Sequence, residues 1–133
     1  MSQVQPSSFA SARVLVVEDN PINQHLLVRM LATMGVQADL AKNGAEAVAQ
    51  CHDQQYDVVL MDVQMPIMDG LEATRLIRSE QGEHAPAIIG VSAHAYPNQI
   101  ADGKAAGMVE YLAKPVQMSH LLNTVQLHLS ASR

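Results

Sequence analysis

Short apolar segments alternate along this chain with longer stretches in which apolar residues recur at helical spacing. The apolar segments cover residues 13–17, 36–41, 58–62, 87–92 and 110–114. In segment 58–62, four apolar residues are followed directly by the acid Asp62, a pattern typical of a strand buried on both faces. Segment 36–41 alternates apolar and polar residues, which predicts a strand at the edge of a sheet.

The stretches between these segments predict helices with identifiable ends. Asn20 followed by Pro21 predicts a helix start, because Asn caps the free backbone N–H groups and Pro fits the first helical position. Gly35 is expected to end that helix in the left-handed conformation. The predicted inner face of this first helix comprises Ile22, Leu26, Leu27, Met30, Leu31 and Met34. The predicted inner face of the last helix comprises Met118, Leu121, Leu122, Val125 and Leu129.

Five strands alternating with five helices predict an α/β fold, a doubly wound parallel sheet with helices on both faces. The alternation does not give the strand order. Residues 1–12 are rich in Ser and Gln and predict a flexible tail or linker. A single domain is therefore expected over residues 13–130.

The composition argues against several kinds of partner and cellular environment. The net charge of −5 and the eight scattered basic residues argue against direct binding to nucleic acid, which needs clustered Lys and Arg. The single cysteine, Cys51, cannot form an internal disulfide and is expected to be a small core residue. No apolar run approaches the roughly 20 residues of a membrane span, and no signal peptide is visible. We therefore expect a cytoplasmic domain without direct membrane contact.

Chemically active residues follow several of the predicted strands. The first strand is followed by Glu18 and Asp19, the third ends in Asp62, the fourth in Ser92 and the fifth in Lys114. The carboxyl ends of parallel strands share one edge of the sheet, where ligands bind in such folds. Three carboxylates at one place repel each other, and a divalent cation removes that repulsion. Oxygen ligands favour Mg²⁺ over Zn²⁺.

Lys114 and Ser92 extend this metal site to phosphate chemistry. An ammonium and a hydroxyl can hold phosphoryl oxygens, and phosphoryl transfer depends mainly on positioning and charge neutralisation. Asp62 is then the natural nucleophile, with an aspartyl phosphate as product. Taken singly, each residue has a simpler explanation, since Asp62 could be a turn cap and Lys114 a surface charge. Their coincidence at one edge favours the functional interpretation, and His94, two residues after Ser92, is expected to border the site.

Four motifs identify a resemblance to a known family. They are Val16-Val17-Glu18-Asp19-Asn20-Pro21-Ile22-Asn23-Gln24, Met61-Asp62-Val63-Gln64-Met65-Pro66-Ile67-Met68-Asp69-Gly70-Leu71-Glu72-Ala73-Thr74, Ala105-Ala106-Gly107-Met108 and Tyr111-Leu112-Ala113-Lys114-Pro115. The chain resembles the receiver domains of two-component response regulators over residues 13–130, in the version attached to hybrid sensor histidine kinases. The resemblance implies the flavodoxin-like receiver fold, with strand order 2-1-3-4-5.

The resemblance also implies a role for each matching residue. Asp62 matches the phosphoacceptor, Ser92 the switch hydroxyl, Lys114 the family's lysine and Tyr111 the aromatic switch position. The implied metal ligands are Glu18 (largely through water), Asp19, Asp62 and the backbone carbonyl of Gln64. The metal is Mg²⁺, with Mn²⁺ as a substitute. The Lys114–Pro115 peptide bond is expected to be cis.

The implied function is that of a phosphoacceptor in a phosphorelay. Asp62 takes a phosphoryl group from a phosphohistidine, and the surface formed by the fourth helix, fifth strand and fifth helix then changes. The implied partners are a histidine kinase domain, a histidine phosphotransfer domain, or both. The domain is expected to catalyse its own phosphorylation and slow dephosphorylation, as part of a cytoplasmic protein or of the cytoplasmic part of a membrane-anchored hybrid kinase.

Two other classes stay open at this stage. One is a Mg²⁺-dependent phosphatase similar to haloacid dehalogenases, but their Asp-x-Asp pair ends the first strand, where this chain has Glu18-Asp19-Asn20. The other is a degenerate receiver that serves only for protein contact, against which the complete set of acids, Ser92 and Lys114 argues. A nucleotide-binding domain is not expected, because neither a GxGxxG nor a Walker motif is present.

Overall fold

The structure, a computed structural model, describes residues 11–65 and 68–132. Most of the predicted tail and the proline of the Met65-Pro66 turn lie outside the described residues. The strands are β1 (Val14–Val17), β2 (Ala38–Ala41), β3 (Val58–Asp62), β4 (Ala87–Ser92) and β5 (Glu110–Ala113). The helices are α1 (Pro21–Ala32), α2 (Gly44–Asp53), α3 (Gly70–Gln81), α4 (Pro97–Ala106) and α5 (Met118–Ser132).

The five strands form one parallel sheet in the order β2-β1-β3-β4-β5, which confirms the predicted fold class and strand order. Strand β2 lies at the edge, as its alternating sequence predicted, and Leu40 within it is 43% exposed. Strands β3 and β4 have the bounds that their apolar runs predicted. The sheet therefore brings the carboxyl ends of β1, β3, β4 and β5 to one edge.

The core has two halves because alternate strand residues face opposite sides of the sheet. On β1, Val14 and Val16 belong to one half, whereas Leu15 and Val17 belong to the other. The first half is covered by α1 and α5, through Leu27, Leu31, Leu121, Val125 and Leu129. The second half is covered by α2 and α3, through Ala47, Cys51, Ala73 and Ile77. The interior is largely aliphatic, with Tyr56 buried in the second half, and Cys51 is the small core residue that was expected.

Helix α1 begins and ends near the predicted signals. The Asn20 side chain accepts hydrogen bonds from the N–H groups of Ile22 and Asn23, at 2.9 and 3.1 Å. Gly35 has a φ of 82°, the left-handed conformation expected after the helix.

The predicted inner face of α1 is partly wrong. Leu27 and Leu31 are buried, but Ile22 is 77% exposed and Leu26 is 47% exposed. Helix α1 starts beyond the carboxyl end of β1, so its first turn does not cover the sheet. Met118, at the start of α5, was also predicted to face the core and is 43% exposed for the same reason.

Helix α4 begins at Pro97, because proline fits the first helical position. Only Gly103 and Ala106 of this helix are buried, so the helix is lightly packed.

Both described ends of the chain lie at the amino edge of the sheet, opposite the strand ends that carry the acids. The Arg13 backbone N–H donates to the Asp57 carboxylate, which precedes β3, at 2.9 Å. Near the end of α5, His128 Nε2 lies 3.5 Å from a carboxylate oxygen of Glu110, the first residue of β5.

Candidate functional site

The acidic cluster follows directly from the pairing of β1 with β3. In that register Val17 lies beside Met61, so the next residues, Glu18 and Asp62, are neighbours at the carboxyl edge. Carboxylate oxygens of Glu18, Asp19 and Asp62 all lie within 4.8 Å of one another. Glu18 and Asp62 are buried, at 1% and 3% exposure, whereas Asp19 is exposed. The structure thus brings the three predicted acids together.

Lys114 joins this cluster from the end of β5. The register of β4 and β5 pairs Ser92 with Ala113, and the Lys114 N–H donates to the Ser92 carbonyl at 2.8 Å. The Lys114 Nζ lies 3.1 Å from Glu18 Oε1 and 3.5 Å from Asp62 Oδ2. The Lys114–Pro115 peptide bond is cis, as expected. Lys114 is therefore nearer to Glu18 than to Asp62, an arrangement that the sequence did not predict.

Backbone and side-chain donors fix the buried Glu18. The Asn20 N–H donates to Glu18 Oε2 at 3.1 Å, and Lys114 takes the other carboxylate oxygen. The Gln24 side chain donates to the Glu18 carbonyl at 2.6 Å. The residues that begin α1 therefore also position the carboxylate that ends the first strand.

The environment of Asp62 favours its protonated form. Burial is the largest effect and the nearby Glu18 carboxylate adds to it, so the pKa of Asp62 rises from 3.8 to about 6. Lys114 and the Gln64 N–H, which donates to Asp62 Oδ1 at 3.1 Å, act in the opposite direction. Lys114 and the Gln64 N–H therefore offset the effects of burial and of Glu18 only in part.

The donor set fits a hard divalent cation. Three carboxylates share a site with one ammonium, and oxygen ligands of this kind suit Mg²⁺. A cation would oppose the repulsion between Glu18 and Asp62 that raises the pKa of Asp62. Gln64 is exposed and lies at the site through its backbone N–H, whereas the role of its carbonyl as a ligand stays a prediction.

The Ser92 hydroxyl faces the loop that follows β4. Its oxygen accepts a hydrogen bond from the His94 N–H at 3.0 Å, and Ser92 is 1% exposed. The Tyr111 hydroxyl donates to the His94 carbonyl at 3.3 Å. A cavity of about 190 Å³ adjoins these groups and is lined by Ser92, Tyr111, Gln64 and Gln99, among others. Ser92 and the predicted switch residue Tyr111 are thus linked through one loop residue.

One contact at the mouth of the site was missed by the sequence reasoning. The Gln64 side-chain nitrogen lies 2.7 Å from His94 Nδ1, which joins the loop after Asp62 to the loop after Ser92. Both residues lie two positions after the end of a strand. That shared position was the signal in the sequence that could have predicted the contact. His94 does border the site as expected.

Comparison with known proteins identifies a family whose model matches most of this chain. The model of the response regulator receiver domain family matches residues 14–126. Hybrid signal transduction histidine kinase G of Dictyostelium discoideum is 39% identical over 118 residues, which cover 86% of this chain and 3% of the kinase. The chain spans only 3% to 17% of the length of the first curated relatives it matches.

Two solved structures are similar in fold and sequence. The receiver domain of the sensor histidine kinase PA1611 from Pseudomonas aeruginosa, with magnesium coordinated in its active site cleft, is 36% identical with a TM-score of 0.83. That match covers 91% of this chain and 99% of PA1611's domain. The receiver domain of Ssk1 from Saccharomyces cerevisiae, solved with the histidine phosphotransfer protein Ypd1, is 30% identical with a TM-score of 0.81 and 86% of each chain covered. Among the described residues, no helix is long and apolar enough to cross a membrane.

Proposed function

Because this chain belongs to the response regulator receiver domain family, we propose that Asp62 is the residue at which it accepts a phosphoryl group in a two-component phosphorelay. The observation that carries the proposal is the position of Asp62. It is buried at the carboxyl edge, with Lys114 Nζ 3.5 Å from one carboxylate oxygen and two further acids within 4.8 Å. This arrangement combines a nucleophile, a cation and a metal-binding carboxylate set.

The reaction transfers the phosphoryl group from a phosphohistidine of a partner. An oxygen of the Asp62 carboxylate attacks phosphorus, the bond between phosphorus and the imidazole nitrogen breaks, and the electron pair returns to that nitrogen. Lys114 then leaves its ion pairs to hold a phosphoryl oxygen. The Ser92 hydroxyl accepts from His94 N–H, so its own proton is free to donate to another phosphoryl oxygen. Water later hydrolyses the aspartyl phosphate, which returns the domain to its starting state.

Asp19, Asp62 and the Gln64 carbonyl, with Glu18 acting largely through water, would hold Mg²⁺, or Mn²⁺ as a substitute. When bound, the cation supplies the positive charge that keeps Asp62 ionised and neutralises the phosphoryl oxygens. The magnesium in the cleft of the PA1611 receiver domain supports this assignment.

The exposed apolar face at the start of α1 is where we place the partner. Ile22, Leu26 and Met118 line a surface groove of about 510 Å³. Leu26 also lines a neighbouring cavity of about 350 Å³ that reaches Glu18 and Lys114, so the groove leads to the reacting residues. The complex of the Ssk1 receiver with Ypd1 supports a histidine phosphotransfer domain, or the histidine-bearing domain of a kinase, as the occupant.

We infer the cellular location of the domain from the phosphohistidine that serves as its phosphoryl donor. The phosphohistidine is made by an ATP-dependent kinase, and we therefore place the domain in the cytoplasm. The short span of this chain in its kinase relatives also fits a receiver carried within a larger kinase.

Replacement of the nucleophile tests the proposal. Asp62→Asn should abolish labelling by acetyl phosphate and Mg²⁺, and also labelling by a phosphorylated histidine phosphotransfer protein, measured by mass spectrometry and radiolabel. Asp53→Asn is the matched control, because Asp53 is an exposed carboxylate at the end of α2, and it should be labelled normally. Undiminished labelling of the Asp62→Asn variant would contradict the assignment.

A further inference from the structure

The ring of Tyr111 lies in a slot between two glycines. A Cβ atom on Gly103, in α4, would lie 2.8 and 2.9 Å from the ring carbons Cδ2 and Cε2 of Tyr111. A Cβ atom on Gly90, in β4, would lie 3.1 Å from Cδ2 of the same ring and 2.6 Å from the Met108 sulfur. The ring therefore occupies space that exists only because both positions lack a side chain.

The two glycines differ in how strictly they are needed. The tightest contact at Gly90 is with the sulfur of Met108, a flexible side chain that can move aside. At Gly103 the tightest contacts are with two carbons of a rigid aromatic ring. A methyl group there requires the Tyr111 ring or helix α4 to shift, and the ring cannot bend aside as the Met108 side chain can. Gly103 lies inside a helix, where glycine is unfavourable, and its conformation does not itself require glycine.

The seated ring is connected to the phosphoryl site by two hydrogen bonds. The Tyr111 hydroxyl donates to the His94 carbonyl at 3.3 Å, and the N–H of the same residue donates to Ser92 Oγ at 3.0 Å. A displaced ring would lose the first bond, and the loop that fixes the Ser92 hydroxyl would then be held through the contact between His94 and Gln64 but no longer through Tyr111. The position of Ser92 therefore depends on a residue of α4 that touches neither the metal-binding acids nor the hydroxyl.

We propose that Gly103 is a positioning residue that seats Tyr111 in this slot before phosphorylation, and so holds the Ser92 hydroxyl ready for a phosphoryl oxygen. The proposal rests on the proposed function of Asp62. It adds that the seat already exists without a phosphoryl group, so that part of the conformational change is completed in advance. A ligand that binds the seated state then avoids the free energy of reaching it.

A double-mutant cycle tests this with beryllofluoride, a mimic of the phosphoryl group, in the presence of Mg²⁺. The four proteins are the wild type, Gly103→Ala, Tyr111→Ala and the double variant, with affinities measured by calorimetry. Gly103→Ala should weaken binding by about fivefold or more, within the usual range of coupling between sites. In the Tyr111→Ala background the same substitution should change binding by less than about twofold, because no ring is left to displace.

A direct readout of the ring accompanies the cycle. Fluorine NMR of 3-fluorotyrosine-labelled protein, without beryllofluoride, should show the Tyr111 signal moving to a solvent-exposed position in Gly103→Ala. Lys104→Ala is the control, since it changes the helix propensity of an exposed neighbour in α4, and it should alter neither signal nor affinity.

Two outcomes would overturn the inference. One is an effect of Gly103→Ala that persists at full size in the Tyr111→Ala background, which would mean that the alanine acts through the helix and not through the ring. The other is an unchanged Tyr111 signal in Gly103→Ala. If the wild type itself fails to bind beryllofluoride with Mg²⁺, the proposed function of Asp62 fails instead, and the NMR result still decides where the ring lies.

Discussion

At the scale of single residues, the charge balance around Asp62 determines how this site responds to pH. Burial and Glu18 raise the pKa of Asp62 to about 6, so the folded protein holds a proton on this carboxylate at pH values where the unfolded chain has lost it. A group whose pKa is raised by folding stabilises the folded state below the unfolded pKa of 3.8, and that contribution is lost as the pH rises through about 6.

Comparison with a neutral variant should isolate this effect. Without divalent cations, the difference in free energy of unfolding between Asp62→Asn and the wild type should shift in favour of the variant by about 2 kcal/mol between pH 4 and pH 7, since one pKa unit corresponds to about 1.4 kcal/mol. Urea denaturation in EDTA at a series of pH values measures the difference. Saturating Mg²⁺ should reduce the gap at pH 7, because the cation compensates the ionised carboxylate. A gap that does not change with pH would show that Asp62 titrates normally.

The residues of the site also show what sequence could and could not predict. Glu18, Asp19, Asp62, Ser92 and Lys114 were found because each lies at the end of a predicted strand, and parallel strands bring those ends together. The nearer pairing of Lys114 with Glu18, and the contact between Gln64 and His94, depend on distances between loops. Periodicity along the chain carries no information about those distances.

At the scale of elements, helix α1 carries a buried and an exposed apolar stripe side by side. Leu27 and Leu31 pack on the sheet, whereas Ile22 and Leu26 face solvent beside the site. The spacing of apolar residues could not separate these stripes, because the first turn extends past the end of the sheet and both stripes are equally apolar. The bounds of β3 and β4 were predictable for the opposite reason, since a fully buried strand has an abrupt polar end.

The exposed stripe predicts a difference between a protein phosphoryl donor and the small donor acetyl phosphate. Ile22→Ser should slow phosphorylation by a histidine phosphotransfer protein by about tenfold, because an apolar contact with the partner is lost, and should leave labelling by acetyl phosphate unchanged. The measurement compares the initial rates with both donors. Leu127→Ser is the matched control, because Leu127 is 60% exposed on α5 and does not line the groove. Equal slowing with both donors would mean that Ile22 supports the site and not the partner.

At the scale of the whole molecule, stability depends on a sheet covered on both faces. Leu31→Ala removes a fully buried side chain from the half of the core under α1 and α5, and it should lower the free energy of unfolding by about 2–5 kcal/mol. The same substitution at Leu40, which is 43% exposed on the edge strand β2, should cost less than about 1 kcal/mol. Urea denaturation of both variants gives the comparison. Similar losses at the two positions would contradict the described burial.

Both described chain ends lie at the amino edge, and this position determines how the domain can be attached to a surface, a label or a fusion partner. Arg13 is fixed beside Asp57 and His128 beside Glu110, on the side of the sheet away from Asp62. A surface, a fluorophore or a fused protein joined at either end therefore leaves the sheet edge that carries Asp62 unobstructed. The domain can be immobilised on a sensor chip through either end with the edge that carries Asp62 open to solution.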